Sequence, residues 1–403
     1  MTQKKILPVL FFTLLIDMVG LGMIIPVLPI LFTDPTSPSF LLAGYSQTGQ
    51  YIVAGAITAL FGLMQFIAAP ILGELSDVYG RKRLLIIGVG VLAISQILFG
   101  FGIETASLTL LFVSRAIAGI ASANFSIAQA SIADVTAPKD RAKNFGLIGA
   151  AVGLGFIIGP LLGGFIASAL HDPAAPFWCA GALGIFNLMF LALFFPETHK
   201  RSSEARTFTI FKGVRNLKAA FQDVDARLIY LANFLYVSGF AFFISFAGIL
   251  LVSRFQFSAA AIGTFFGVVG LWIVFTQGFI LRILSRYYSE RAILRFSLLT
   301  LMTALALYAF VPSVWLLYTL IPFVAVGNGL SMANMVALIS KGVSPEKQGA
   351  ALGINGSVMA LAQGTVPLVA GLGSGFFGIR APFLAGAFFV GCAWCMLFVY
   401  KRK

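Results

Sequence analysis

Of 403 residues, 59% are hydrophobic and only 10% charged, and the mean hydropathy is +0.98; a water-soluble globule of this length could not clothe its surface from such a composition. The net charge of +13 would suit a nucleic-acid binder if its cations shared one soluble face. They lie instead in short loops between apolar stretches, which excludes that class. Cys179, Cys392 and Cys395 fall inside apolar stretches that suit inert thiols, so neither a disulfide framework nor a metal site is expected.

A bilayer core of about 30 Å is crossed by about 20 apolar residues. The chain offers twelve such stretches, at 6–31, 49–72, 84–103, 108–131, 144–169, 176–196, 227–252, 258–281, 292–311, 313–340, 349–376 and 380–400. The first outruns a signal h-region and no small-residue cleavage site follows it, so it is expected to remain as the first span. Within it, Asp17 is the only acidic residue in the middle of any span. It lies ten residues beyond Leu7, about 15 Å at the helical rise, near mid-membrane. A carboxylate there is costly unless it is protonated, paired or hydrated. A proton-accepting group facing a cavity is the functional reading, and a structural carboxylate satisfied by its neighbours is the alternative.

The turn between the second and third stretches reads Gly73-Glu-Leu-Ser-Asp77-Val-Tyr-Gly80-Arg81-Lys-Arg-Leu84. Asp77 and the three cations cannot sit in hydrocarbon, and Gly73 and Gly80 permit a tight turn. Arg81 is expected to engage an acid such as Asp134, and Asp77 to approach a helix N-terminus. Arg115, seven residues into the fourth stretch from Leu108, comes to nearly the depth of Asp17; proton transfer and a static ion pair with Asp17 both fit it. The fifth stretch carries Gly149, Gly153, Gly155, Gly159, Pro160, Gly163 and Gly164. Gly155, Gly159 and Gly163 form one helical stripe suited to close packing, and Gly263, Gly267 and Gly270 of the eighth stretch are its expected partner.

Residues 197–226 form the longest polar connection, in which Ile210, Phe211, Val214, Leu217 and Phe221 recur at helical spacing. That pattern predicts an amphipathic helix on the membrane surface. It separates two six-span halves, 1–196 and 227–403. The halves are weak copies: Pro138, Gly146, Pro160 and Gly164 recur as Pro345, Gly353, Pro367 and Gly371, each pair 207 residues apart. Leu284-Ser-Arg-Tyr-Tyr288 echoes Leu75-Ser-Asp-Val-Tyr79, with Arg286 in place of Asp77. Alternate sides of the membrane differ sharply in charge, with 24 of the 27 Lys and Arg on one of them, so both termini are expected to be cytoplasmic. Other polar residues inside spans include Gln65, Asn124, Asn233, Tyr236 and Asn328, each either a substrate contact or an interhelical hydrogen bond.

The turn from Gly73 to Leu84 resembles the signature loop of the major facilitator superfamily of membrane transporters. The segment Arg115-Ala-Ile-Ala-Gly119 resembles the superfamily motif whose arginine is implicated in proton transfer, and Gly155-x-x-x-Gly159-Pro160-x-x-Gly163-Gly164 resembles the motif of its drug and proton antiporters. The resemblance is closest to the bacterial tetracycline and proton antiporters, through residues 17–29, Leu63–Pro70 and Glu197-Thr-His-Lys200. It implies an all-α integral membrane protein of twelve helices in two six-helix halves that is not an enzyme. It further implies proton-coupled efflux of a small lipophilic molecule by alternating access, in a monomer in the cytoplasmic (inner) membrane. No cofactor is implied beyond the proton gradient, and the partners are substrate, protons and lipid, with no nucleic acid. Asp17 and Arg115 would then couple protons, while Gly73, Asp77, Gly80, Arg81 and Asp134 form a conformational latch. The seventh and tenth spans, with the first and fourth, would line the cavity and bring Asn124, Asn233 and Asn328 to it. The tetracycline pumps look to carry an acid midway along the third span and a histidine in the eighth, where Ser95 and Ile273 stand here. Export of a lipid or metabolite such as a lysolipid or siderophore, or uptake by symport, therefore remain alternatives. An intramembrane enzyme lacks its nucleophile and base or its metal ligands at depth, and a fixed channel does not suit a repeat of this kind.

Overall fold

The computed structural model describes residues 3–136, 141–198, 215, 218, 227–341 and 348–399. Among the described residues, twelve helical segments are long and apolar enough to cross a membrane: Ile6–Thr33, Gln47–Tyr79, Arg81–Glu104, Leu108–Val135, Leu147–Ala169, Ala175–Phe194, Arg227–Phe255, Ala259–Tyr287, Glu290–Tyr308, Val314–Lys341, Ala351–Phe377 and Ala381–Val399. Helices are forced here because a backbone in hydrocarbon has no water to satisfy its polar groups. Several run past the hydropathy boundaries, the second by continuing to Tyr79 and the eighth to Tyr287. Hydropathy ends at the hydrocarbon edge, whereas the helical hydrogen-bond ladder does not. The amphipathic helix expected within 197–226 lies outside the described residues, of which this stretch holds only 197, 198, 215 and 218.

Two spans are broken at the level of the buried polar residues. The first is interrupted between Gly22 and Val27, ahead of Pro26 and Pro29, and the fourth between Ala121 and Asn124. The second break starts a new helix, Asn124–Val135, at Asn124 itself. The eighth span contains a π-helical turn, Thr276–Ile280, where the Thr276 hydroxyl donates to the Trp272 carbonyl at 2.7 Å.

The chain forms two compact units that do not follow the repeat boundary strictly. Unit 1 comprises 1–43, 63–212 and 257–267, and unit 2 comprises 44–62, 213–256 and 268–403. Each unit thus takes a short helical piece from the other half of the sequence, and the repeat shows how. In unit 1, Pro160 and Gly164 lie backbone to backbone with Ala259 and Gly263, so that a Cβ added at Gly164 would stand 3.1 Å from the Gly263 Cα. In unit 2, Pro367 and Gly371 meet Tyr51 and Gly55 in the same manner, with 3.1 Å from an added Gly55 Cβ to the Gly371 Cα. Side-chain hydrogen bonds reinforce each crossing, Ala260 N to Ser168 Oγ at 3.0 Å and Thr48 Oγ1 to Gly375 O at 3.0 Å. Close approach of small residues is the recurrent device of helix packing in lipid, where no hydrophobic force distinguishes neighbour from solvent.

The expected partner of the glycine stripe is corrected by this packing. Gly155, Gly159 and Gly163 face Met18, Gly22 and Met23 of the first span, not the eighth. Pro160 and Gly164, one position round the helix, are the residues that meet the eighth span. The stripe's spacing identified a close-packing face, but glycines cover nearly the whole circumference of this helix, so spacing alone could not assign its neighbour.

A Cβ at Gly159 would come within 2.7 Å of both the Gly22 Cα and the Val19 carbonyl oxygen, backbone atoms with nowhere to go. Gly149, on the same helix, has nothing within 4 Å. Gly159→Leu is therefore expected to destabilise the detergent-solubilised protein by at least about 1–3 kcal/mol, while Gly149→Ala is neutral or stabilising by up to about 1 kcal/mol. Thermal unfolding midpoints read both, and equal midpoints for the two variants would refute the packing described.

Candidate functional site

Asp17 lies two turns along the first span from Leu10, a member with Leu14 of a buried apolar cluster that includes Val89, Ile127, Ala151 and Leu191. Its side chain is buried at 5% exposure, and its two oxygens take donors from different helices. Asn124 Nδ2 reaches Oδ2 at 3.3 Å and Asn187 Nδ2 reaches Oδ1 at 2.9 Å. The break in the fourth span puts Asn124 there, and Gly88 of the third span leaves it space: a Cβ at Gly88 would lie 2.9 Å from the Asn124 Cγ. Asn187 also donates to the Thr13 carbonyl at 3.1 Å. Among the described residues no ion pair involves Asp17. Its negative charge, when present, is met by neutral amides alone.

Arg115 is buried at 3% exposure and is not paired with Asp17. Its guanidinium donates to Gln96 Oε1 at 3.2 Å and stacks over the Phe99 ring at 4.5 Å from the centroid. Gln96 in turn donates to the Gly20 carbonyl at 3.2 Å. The static Asp17–Arg115 ion pair is therefore set aside; the two charges share a network through Gln96 and the first-span backbone. A small cavity of about 10 Å³, near the minimum that holds one water, is lined by Asp17, Gly20, Gln96, Ala180 and Gly184 among others. Asn187 and Gln96 were not singled out from sequence. The available signal was a lone amide in each of two otherwise apolar stretches, which lipid cannot satisfy.

The signature turn is built around Arg81. Its guanidinium meets Asp134 Oδ2 at 3.0 Å, Asp77 Oδ1 at 2.5 Å and the Ser76 hydroxyl, and it reaches toward the Gly73 carbonyl at 3.5 Å. This engages all three nitrogens of the planar guanidinium fork, which a lysine could not match. Gly80 is left-handed at φ +95° and starts the third span. The first amides of that helix lack intrahelical acceptors, and Glu197, at the far end of the first half, supplies them: Arg81 N at 2.9 Å and Lys82 N at 3.2 Å. The Lys82 ammonium donates to the Ala192 carbonyl near the end of the sixth span at 2.9 Å. The structure thus brings Gly73, Asp77, Gly80, Arg81 and Asp134 together, with Arg81 as one partner of Asp77.

The polar residues of the second half form a separate buried set within unit 2. Asn233 Nδ2 donates to Asn355 Oδ1 at 2.6 Å, and the Tyr236 hydroxyl donates to Asn328 Oδ1 at 2.6 Å. Gln65 lies half-buried midway along the second span. Asn124, Asn233, Tyr236 and Asn328 all make side-chain hydrogen bonds between helices, and Asn124 belongs to the Asp17 network.

Two groups of apolar spans related by a sequence repeat, each holding buried polar side chains, describe a multi-pass membrane transporter. The Major Facilitator Superfamily profile matches residues 10–310 and 229–403, and this chain belongs to that superfamily. The tetracycline resistance protein, class C, of Escherichia coli is 30% identical over 374 residues, 92% of this chain and 89% of that protein. Multidrug resistance protein 1 of Bacillus subtilis (strain 168) is 28% identical over 379 residues, 92% and 90% of the two chains. The crystal structure of the human organic anion transporter MFSD10 superposes with a TM-score of 0.74 over 98% of this chain and 99% of its own, at 24% identity, and so shares the fold. The protein is a transporter related to tetracycline and multidrug efflux proteins, not an enzyme.

Proposed function

We propose that this transporter exports a small lipophilic molecule from the cytoplasm in exchange for protons, by alternating access, with Asp17 as the group that binds and releases the proton. The observation that carries the reading is the setting of Asp17, a buried mid-span carboxylate held by Asn124 and Asn187 with no cation paired to it among the described residues. A carboxylate locked to a cation would have no reason to change its proton occupancy during a cycle; one held by neutral donors can be either charged or neutral. The names of the relatives, tetracycline resistance and multidrug resistance, support efflux. The one-sided distribution of Lys and Arg supports both termini being cytoplasmic in a bacterial-type inner membrane, and the site needs no second copy. Ser95, where the tetracycline pumps look to carry an acid, spends its hydroxyl on the Leu92 carbonyl at 2.6 Å. This favours as a second reading an endogenous lipid or metabolite over tetracycline bound to a divalent metal.

In everted vesicles energised by a pH gradient, a panel of tetracycline with magnesium, lipophilic dyes, siderophores and lysolipids should contain a compound that accumulates inside, and collapse of the gradient should abolish its uptake. Asp17→Asn keeps the side-chain shape and removes the titrating group, so gradient-driven transport should fall by at least about tenfold while the purified variant stays folded. Wild-type rates and pH dependence in that variant would contradict the reading. Gradient-driven accumulation in intact cells, with no efflux across the panel, would show an uptake symporter instead.

The Arg81 cluster is the proposed latch, opening and closing with the cycle. Asp77→Ala removes one of two carboxylates from the guanidinium, and turnover should fall several-fold with altered reactivity of cysteines introduced on the two faces of the membrane. Unchanged cysteine accessibility on both faces would remove the latch from the account.

A further inference from the structure

Asn187 lies in the sixth span with no exposed surface, in the otherwise apolar run Ala180–Phe194. An amide buried in such a stretch costs stability unless its groups are used, and one bond to the Thr13 carbonyl would suffice to tie the first and sixth spans together. Its Nδ2 makes a second bond, at 2.9 Å, to Asp17 Oδ1. Its Oδ1, equally buried, has no hydrogen-bond partner among the described residues, and neither has the Thr13 hydroxyl. These atoms match what a titrating carboxyl needs. An ionised carboxylate only accepts, and Nδ2 donates to it; a protonated carboxyl must also donate one bond, for which the same amide carries an unused acceptor. A half-turn about the Cβ–Cγ bond exchanges the two, giving up the amide's bond to the Thr13 carbonyl.

Asn124 is a second amide on the carboxyl, held at the longer 3.3 Å, and its oxygen is not among the buried acceptors left without a partner. The fourth span contributes Asn124 and the third Gln96, which is bonded to Gly20 and Arg115. The fifth span offers glycines, and Arg115, the charged group of the network, is engaged by Gln96 and Phe99. With no cation paired to Asp17 among the described residues, neutral donors decide how tightly the proton is held.

We infer that Asn187 is the positioning residue that sets the proton affinity of Asp17, donating to the carboxylate and accepting from the protonated acid, an inference that rests on the reading of Asp17 as the proton carrier. Removing the amide takes a bond from both forms, and the bond to the charged carboxylate is the stronger one, so the ionised form loses more and the proton is retained to higher pH.

The test is an infrared pH titration of the purified, substrate-free protein, following the carbonyl band of protonated carboxyl groups and assigning Asp17 by the band lost in Asp17→Asn. In Asn187→Leu, which fills similar space without donors, the Asp17 midpoint should move up by about one pH unit, a tenfold gain in proton affinity. Asn187→Ser, which keeps a hydroxyl, should shift it less, and decides the matter alone if the leucine variant does not fold. Ser131→Ala, elsewhere on the fourth span with its hydroxyl bonded to Ile127 O, should leave the midpoint in place. An assigned band whose midpoint does not move in the Asn187 variants overturns the inference while leaving the proton-carrier reading standing. A shift of equal size in Ser131→Ala overturns it as a nonspecific effect. If no titrating band is lost in Asp17→Asn, the inference falls together with that reading.

Discussion

A carboxyl group in hydrocarbon must find hydrogen-bond donors or give up its charge, and this requirement organises unit 1 around Asp17. The donors arrive on helices remote in sequence, Asn124 on the fourth span and Asn187 on the sixth. To admit them, the fourth span breaks at Ala121–Asn124 and the third carries Gly88 opposite the Asn124 amide. The fifth span closes the other side of the first through Gly155, Gly159 and Gly163, where only glycine permits backbones to meet. The acidic side chain thus bears on residues of three surrounding helices, and the backbone of its own span on the glycines of a fourth. Apolar packing then fills the space between them.

The chain treats its two charged centres in opposite ways. Arg81, at the end of the spans, is surrounded by Asp77, Asp134 and Ser76, and its backbone amide is capped by Glu197. Such saturation holds a charge permanently and fixes geometry, as a hinge or latch demands. Asp17, at depth, is given amides and, among the described residues, no paired cation. Neutral donors stabilise the charged form less than a counter-ion would, which leaves both protonation states within reach. The difference in partners is the physical basis for assigning mechanical work to one site and proton exchange to the other.

Twelve spans, the repeat and Asp17 could be read from the sequence because each depends on a contrast with hydrocarbon: apolar length, matched Pro and Gly spacing, one misplaced acid. The pairing of Arg81 with Asp134 was readable for the same reason, since charges beside a membrane edge must meet. The neighbours of each helix were not readable. In a water-soluble bundle the apolar face points to the core, but here lipid and core are equally apolar and the faces look alike. That is why the Gly155 stripe was assigned to the eighth span when it packs on the first, and why Asn187 and Gln96 went unnoticed among apolar residues. The exchange of Gly44–Gly62 and Phe257–Gly267 between the compact units likewise follows from three-dimensional crossings that no local pattern encodes.

The most direct test of the account is substrate-induced proton release. Purified protein in weakly buffered detergent solution is mixed with the compound whose export the vesicle panel identifies, and the pH change is recorded. If substrate and proton compete through Asp17, wild-type protein releases on the order of one proton per substrate bound and Asp17→Asn releases none while still binding. Equal proton release from the two proteins would contradict the central claim and move proton coupling to another group.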